Sequence, residues 1–265
     1  ASEMSSPRHN PMDQEGKTAP VVLTIAGLDP SGGAGILADA RTIIAFKCRA
    51  TAAISAITFQ NAAGVKGFVV QSRETLRAQL EPIFSELPVA AVKTGMLPTL
   101  EIVREVIRAV REHPVRFLVI DPVKDSTSGY ELMDAKAAIE LRENLLPLAS
   151  LVTPNIPEAE SLVGFSIRNE MNMRRAAEKI RNGGVKAVLI KGGHLETQNE
   201  VIDLLDDGGR ITVFRSERVG GGEFRGTGCS LASGIAACLA LGESLETAVQ
   251  SSRDFVLRAM REANT

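Results

Sequence analysis

Cysteine is scarce: Cys48, Cys229 and Cys238 are the three in 265 residues. Their odd number and wide spacing argue against a disulfide framework, and no CxxC pair suggests zinc. No HExxH run is present, and no GxSxG elbow points to a Ser-His-Asp hydrolase. A basic excess is also lacking: 30 Lys and Arg stand against 32 Asp and Glu, a net charge of −2. A phosphate-backbone binder usually carries a basic stripe, so nucleic acid is not expected. No apolar run approaches the roughly 20 residues that cross a bilayer, so no membrane partner is expected. The first 20 residues are polar and lack the apolar core of a secretory signal. Cytoplasmic residence is the resulting expectation.

What is present is ordinary for a globular protein: 44% hydrophobic and 23% charged residues, in a chain long enough to bury a substantial core. Residues 1–20, rich in Ser, Pro, Asn and charge, are expected to form a disordered tail. Residues 21–265 are expected to form one domain, because no low-complexity linker or internal repeat divides them. Val21–Ala26 is a continuous apolar run, as a strand buried on both faces requires. A glycine-rich loop, Gly27–Gly35, follows, and then Ile36, Leu37, Ala40, Ile43 and Ile44 recur at helical spacing. The alternation continues. Strands are predicted at Ala52–Thr58, Ala90–Lys93, Phe117–Ile120, Leu151–Thr153 and Ala187–Lys191. Helices are predicted at Leu76–Leu87, Leu100–Val110, Ala135–Leu146, Pro157–Leu162, Met171–Arg181, Cys229–Leu241 and Leu245–Ala263. Val201–Leu205 and Arg210–Phe214, separated by Asp206-Asp207-Gly208-Gly209, predict a hairpin. The expected fold class is α/β, a doubly wound, mostly parallel sheet with helices on both faces. Ligands of such sheets bind beyond the carboxyl ends of the strands.

Four stretches at those ends carry chemistry. Gly226-Thr227-Gly228-Cys229 enters a helix of small residues. Its backbone N–H groups and helix dipole suit a phosphate, and the same field predicts a lowered thiol pKa at Cys229. The plain alternative is an N-cap by Thr227 or Ser230. In Thr153-Pro154-Asn155-Ile156-Pro157-Glu158, Asn155 and Glu158 are spaced either to hold a hydrated Mg²⁺ or to form a capping box. Lys191-Gly192-Gly193-His194 puts a cation where backbone can approach a polyphosphate, or is a solvated turn. Asp29, in the first glycine-rich loop, is a candidate acceptor for a ring hydroxyl or amine. That loop has neither the dinucleotide GxGxxG nor the P-loop spacing. Asp121, Gln60-Asn61 and Lys93-Thr94-Gly95 also end strands on this edge.

Taken together, IAGLDPSGGAGILADARTI (25–43), ISAITFQNA (54–62), VKTGML (92–97), DPV (121–123), TPNIPEAE (153–160), IKGGH (190–194) and GTGCSLASGIAA (226–237) resemble the hydroxymethylpyrimidine and phosphomethylpyrimidine kinases of the ribokinase-like superfamily. The resemblance implies a ribokinase-like fold, ATP and Mg²⁺ as cofactors, a pyrimidine substrate and a homodimer. It implies that Asp29 and Gln60 bind the aminopyrimidine, with Gly27 and Val123 lining its pocket. It implies that Asn155 and Glu158 lie near the Mg²⁺–triphosphate, that Asp121 holds metal-bound water, and that Lys191 contacts ATP phosphate. Gly226, Thr227, Gly228 and Cys229 then form the anion hole, with Cys229 as the activating base. The chain departs from the family pattern at Lys124, where a hydrophobic Met is usual, and at Thr127, where a lysine is usual. It also departs at Arg225, where histidine is usual, and at Leu28, where a small polar residue is usual. A pyridoxal or pyridoxine kinase and a non-catalytic pyrimidine sensor are the competing expectations.

Overall fold

The computed structural model describes residues 18–61, 63–193, 200–220 and 224–263. His194, Gly221, Gly222 and most of the expected tail lie outside the described residues. At the tail's end, the Pro20 carbonyl already accepts from the Arg49 N–H at 2.9 Å.

Each apolar run becomes a strand and each 3.6-periodic run a helix. Along the chain these are β1 (Val21–Leu28), α1 (Gly35–Ala45), β2 (Arg49–Asn61), β3 (Gly64–Val70), α2 (Arg73–Glu86), β4 (Val89–Thr94), α3 (Leu100–Glu112), β5 (Phe117–Ile120) and α4 (Ala135–Glu140). They continue as β6 (Leu151–Val152), α5 (Ile156–Val163), α6 (Glu170–Asn182), β7 (Ala187–Ile190), β8 (Glu200–Asp207), β9 (Arg210–Glu217), α7 (Thr227–Ala240) and α8 (Leu245–Glu262). One nine-stranded sheet runs in the order β3-β2-β1-β4-β5-β6-β7-β8-β9. Strands β2 through β7 in that order are parallel, while β3, β8 and β9 are antiparallel. The expected hairpin is present, turning at Gly208 and Gly209 with φ of 61° and 99°. Both values are left-handed, as the tightest hairpin turn requires.

Strand pleating sorts the core into two layers. Leu23, Ile25, Val92, Leu118, Ile120, Val152, Val188 and Ile190 face α2, α3, α5 and α6. Their neighbours Val22, Ala91, Val119, Leu151, Ala187 and Leu189 face α1, α7 and α8. The sheet is thus doubly wound, in agreement with the expectation. No described helix is long and apolar enough to cross a membrane.

Two details differ from the expectation. Residues 64–70, expected as no element, form β3, an antiparallel edge strand whose alternation is broken by Gly67 at φ 158°. The predicted helix 135–146 stops being α-helical at Glu140. It widens into a π-turn over Leu141–Leu145 and tightens into a 3₁₀ turn over Leu146–Leu148, where Pro147 removes a backbone donor.

The winding fixes the site. The chain leaves β1 for β2 on one side and returns by α2 to β4 on the other, so the order of strands reverses between β1 and β4. The crevice at the carboxyl ends of those two strands is the switch point where open α/β sheets bind ligands.

Candidate active site

Three helices, α1, α3 and α7, begin at this edge without a side-chain cap within the helix start. Among the described α-helices, α1 and α7 alone have neither a capping side chain nor an acidic residue in the first turn. The leading N–H groups of α7 therefore stay available to an anion, whereas the Ala34 N–H at the start of α1 is taken by Asp29. The alternative of an N-cap by Thr227 or Ser230 is not what occurs: the N-cap is Gly226 at φ 75°, and the Thr227 hydroxyl donates to the Phe224 carbonyl at 3.3 Å. Only glycine serves there, because a Cβ on Gly226 would lie 2.2 Å from the Gly33 carbonyl. That contact also locks the turn of residues 226–229 against the first glycine-rich loop. Gly226→Ala is expected to cost about 1–3 kcal/mol and to lower the Tm by several degrees. Gly193→Ala, with nothing within 4 Å of the new methyl, leaves the Tm unchanged; thermal unfolding checks both.

The polar groups converge on this turn. Lys191 Nζ donates to Asp121 Oδ1 at 2.8 Å, and the Thr153 hydroxyl donates to the same oxygen at 3.2 Å. A Cβ on Gly228 would lie 3.3 Å from Lys191 Nζ and 3.8 Å from Asp121 Oδ2, so the pair abuts the turn of residues 226–229. Asn155 and Glu158 form the capping box foreseen as the plain alternative: Asn155 N–H donates to Glu158 at 2.7 Å and Glu158 N–H donates to Asn155 Oδ1 at 2.8 Å. The box does not remove Glu158 from the site. Burial pushes its carboxyl up to about 7; Lys191 opposes this, and Asp121 and Asp125 add to it. Lys191 sits just beside: burial pulls its ammonium down, but Asp121 and Glu158 overcome this and its pKa is raised.

Two expectations are corrected. The Cys229 thiol was expected to be acidic; its pKa is raised instead. Burial is the largest cause; Lys93 and the Gly35 N–H pull the value down, and Asp39 and Asp121 push it up. Asp29 was expected to be a free acceptor for a ring. It is buried and saturated: Oδ1 accepts from the Ser31 N–H at 2.8 Å and hydroxyl at 2.7 Å, and Oδ2 from the Ala34 N–H at 2.9 Å and Arg225 at 3.0 Å. A carboxylate has about four acceptor sites, so Asp29 organises the loop and ties Arg225 to it.

The remaining predicted residues gather around a small apolar cluster. Ala56, Met96 and Leu132 form its centre, against which Val65, Phe68 and Val123 pack. Gly27 packs directly against this cluster, since a Cβ there would lie 2.9 Å from Met96 Sδ. Gln60, half-buried, pairs with Val65 at the rim. A flap of residues 124–132 covers one side: Ser126 N–H donates to the Tyr130 carbonyl at 2.8 Å, and Tyr130 meets Phe68 edge-on at 6.1 Å.

One buried polar cluster was missed. Lys93 is fully buried and donates to both oxygens of Asp39, at 2.9 and 2.8 Å; Asp39 also accepts from Thr24 at 2.6 Å and Ser233 at 2.8 Å. The sequence did carry a signal. Asp39 stands three residues after Ile36 and four before Ile43, on the apolar stripe of α1, where an acid needs a buried partner.

The comparisons with known proteins agree with this geometry. The chain is 40% identical to a hydroxymethylpyrimidine/phosphomethylpyrimidine kinase of Haemophilus influenzae, over 90% of this chain and 90% of that protein. A crystal structure of a Clostridium difficile phosphomethylpyrimidine kinase superimposes with a TM-score of 0.81 at 38% identity, covering 91% of this chain and 99% of that one. A Staphylococcus aureus pyridoxal kinase in complex with AMP-PCP superimposes with a TM-score of 0.85 at 31% identity, covering 92% and 89%. The chain spans about half the length of other relatives it matches, bifunctional thiamine-biosynthetic enzymes of Oryza sativa, Geobacter sulfurreducens and Arabidopsis thaliana. The phosphomethylpyrimidine kinase profile matches residues 29–265, which hold the turn of residues 226–229 and the Asp121–Lys191 pair, and the chain belongs to that family.

Proposed function

We propose that the chain is an ATP-dependent kinase that phosphorylates the hydroxymethyl group of hydroxymethylpyrimidine and the phosphate of its monophosphate. One observation carries this reading. The apolar group of Gly27, Met96 and Val123 lies on the same sheet edge as the uncapped start of α7, the part-buried Lys191–Asp121 pair and the Cys229 thiol. The apolar group takes a flat ring, and the helix start takes the phosphates.

Phosphoryl transfer needs positioning and charge stabilisation more than covalent chemistry. In this reading Lys191 and the N–H groups of Thr227, Gly228 and Cys229 hold the transferring phosphoryl group, each donor contributing about 2.7–4 kcal/mol. Asn155 orients Glu158 through their box. The Cys229 thiolate takes the hydroxymethyl proton as the new O–P bond forms and the bond to ADP breaks. Gln60 at the rim bonds the ring edge.

The donor set fits a Mg²⁺ that arrives with the nucleotide. Among the described residues no three acidic, His or Cys side chains form a cage. Glu158 offers a buried carboxylate whose anionic form lacks full compensation, and Asp121 has one oxygen committed to Lys191. One or two carboxylates plus phosphate and water suffice for Mg²⁺. Glu158 would hold the ion, with Asp121 acting through water, and the ion would neutralise charge on the nucleotide phosphates.

The likeness to the pyridoxal kinase favours a second reading, since B6 vitamers also carry a hydroxymethyl group on a nitrogen ring. Side-by-side kinetics with ATP decide between them. The expected result is a kcat/KM at least about tenfold higher for hydroxymethylpyrimidine than for pyridoxal, equivalent to about 1.4 kcal/mol. Equal or higher values on pyridoxal contradict the first reading.

A further inference from the structure

The Lys93–Asp39 pair has no part in the reaction as proposed, yet it is tied to the helix that carries Cys229. The link is α7 itself. Cys229 and Ser233 are four apart and share one face of the helix, and the Ser233 hydroxyl donates to Asp39 Oδ1 at 2.8 Å. Lys93 bonds both oxygens of the same carboxylate, and all three side chains are buried. Lys93 rises from β4, Asp39 from α1 and Cys229 from α7, so three elements meet here. The Gly35 backbone N–H at the start of α1 also faces the sulfur.

Stability alone is a weak reason to bury such a pair. Removing both charges from a protein interior is often neutral or stabilising, whereas removing one is costly. The thiol gives the pair a use. We infer that Lys93 is a positioning residue that supplies the counter-charge for the Cys229 thiolate, with Asp39 as the opposing charge that holds Lys93 and limits its effect. This rests on Cys229 acting as the base of the proposed reaction. The charged groups facing the sulfur are Lys93 from β4, Asp39 from α1 and Asp121 beyond β5. Lys93 favours the thiolate; the two carboxylates and burial disfavour it. The two halves of one ion pair therefore act on the thiol with opposite signs. A merely structural pair would not do this, since loss of either half would loosen the same packing.

The test is the rate of Cys229 alkylation by iodoacetamide against pH, read on the full folded chain by peptide mass spectrometry. Cys48 and Cys238 are buried, with pKa values raised by desolvation to about 11 and about 12, and serve as slow internal references. Asp39→Asn is expected to raise the Cys229 rate at pH 8 about tenfold, and Lys93→Met to lower it about tenfold, one pH unit each way. Should Lys93→Met not fold, the charge-free double variant Lys93→Met/Asp39→Leu replaces it. Its Cys229 midpoint is expected to lie above that of Asp39→Asn. Shifts of both single variants in the same direction, no shift in Asp39→Asn, or a double variant equal to Asp39→Asn each overturn the inference. ADP formation by the wild type, measured in parallel, keeps the two ideas apart. Its absence removes the kinase reading while the thiol shifts stand on their own.

Discussion

Cys229→Ala is expected to lower kcat by about 10²–10⁴, the range that a positioned general base supplies, with KM for the pyrimidine changed by less than about threefold. The split follows from where the sulfur sits. In the proposed site the ring lies against Gly27, Met96 and Val123, none of which the substitution touches, and the phosphates meet backbone N–H groups. Only the proton acceptor is lost. The pH profile adds a second signature. Because burial raises the thiol above its ordinary value of 9.0, the protein at neutral pH holds mostly thiol and little thiolate. Wild-type kcat/KM is thus expected to rise about tenfold per pH unit between pH 7.5 and 9 as the thiolate fraction grows, and Cys229→Ala is expected to be flat over the same range. Steady-state kinetics across that window measure both effects. Near-normal turnover in the alanine variant, or a wild-type profile without slope, removes Cys229 from the base role.

Glu158→Gln is expected to separate activity from stability. Glutamine at the third helical position still completes the capping box with Asn155, so α5 keeps its start. The carboxylate, however, is lost from the Lys191–Asp121 corner, and kcat/KM is expected to fall on the order of 10²-fold. Stability moves the other way. Burial raises the carboxyl from an ordinary 4.5 to about 7, so the folded state prefers it protonated. The stability this gives is complete below the ordinary value and drains away as pH rises through about 7. Glutamine, which never ionises, is therefore expected to raise the Tm at pH 8 by a few degrees and to leave it almost unchanged at pH 4. Thermal scans at the two pH values check this. An equal Tm for both proteins at pH 8 contradicts a strained carboxylate at the site. A functional site that stores strain in this way is a common exchange of stability for activity.

Much of the fold was legible because burial on two faces leaves a direct mark. β1, β5 and β7 are short, almost wholly apolar runs with no polar alternation, and α3 repeats its apolar residues at Ile102, Val103, Val106, Ile107 and Val110. The edge was less legible. β3 pairs on one side only, and Gly64 and Gly67 interrupt its pattern, so local sequence could not tell it from a loop. The break after Glu140 was hidden because Leu141, Leu145 and Leu146 continue a helical spacing through the π-turn.

The site divides in the same way. Its position followed from glycine-rich turns at strand ends, and the structure brings Cys229, Lys191, Asp121 and Glu158 to one corner. The two corrections concern depth and partners, which local sequence does not encode. The helix start at Gly226 was visible, but the desolvation of the thiol and the acids near it were not. Asp29 stood in a polar loop, yet the bond to Arg225 spans 196 positions of chain. The same long range hid the pairing of Lys93 with Asp39.

The central claim is that the proposed ring site and the turn of residues 226–229 serve one reaction. A crystal structure with hydroxymethylpyrimidine and a non-hydrolysable ATP analogue tests it most directly. The account predicts the ring against Met96 and Val123, its hydroxymethyl oxygen within hydrogen-bond reach of Cys229, and the terminal phosphate between Lys191 and the N–H groups of residues 227–229. A ring bound elsewhere, or a hydroxyl turned away from that thiol with the phosphates beyond reach of Lys191, contradicts it.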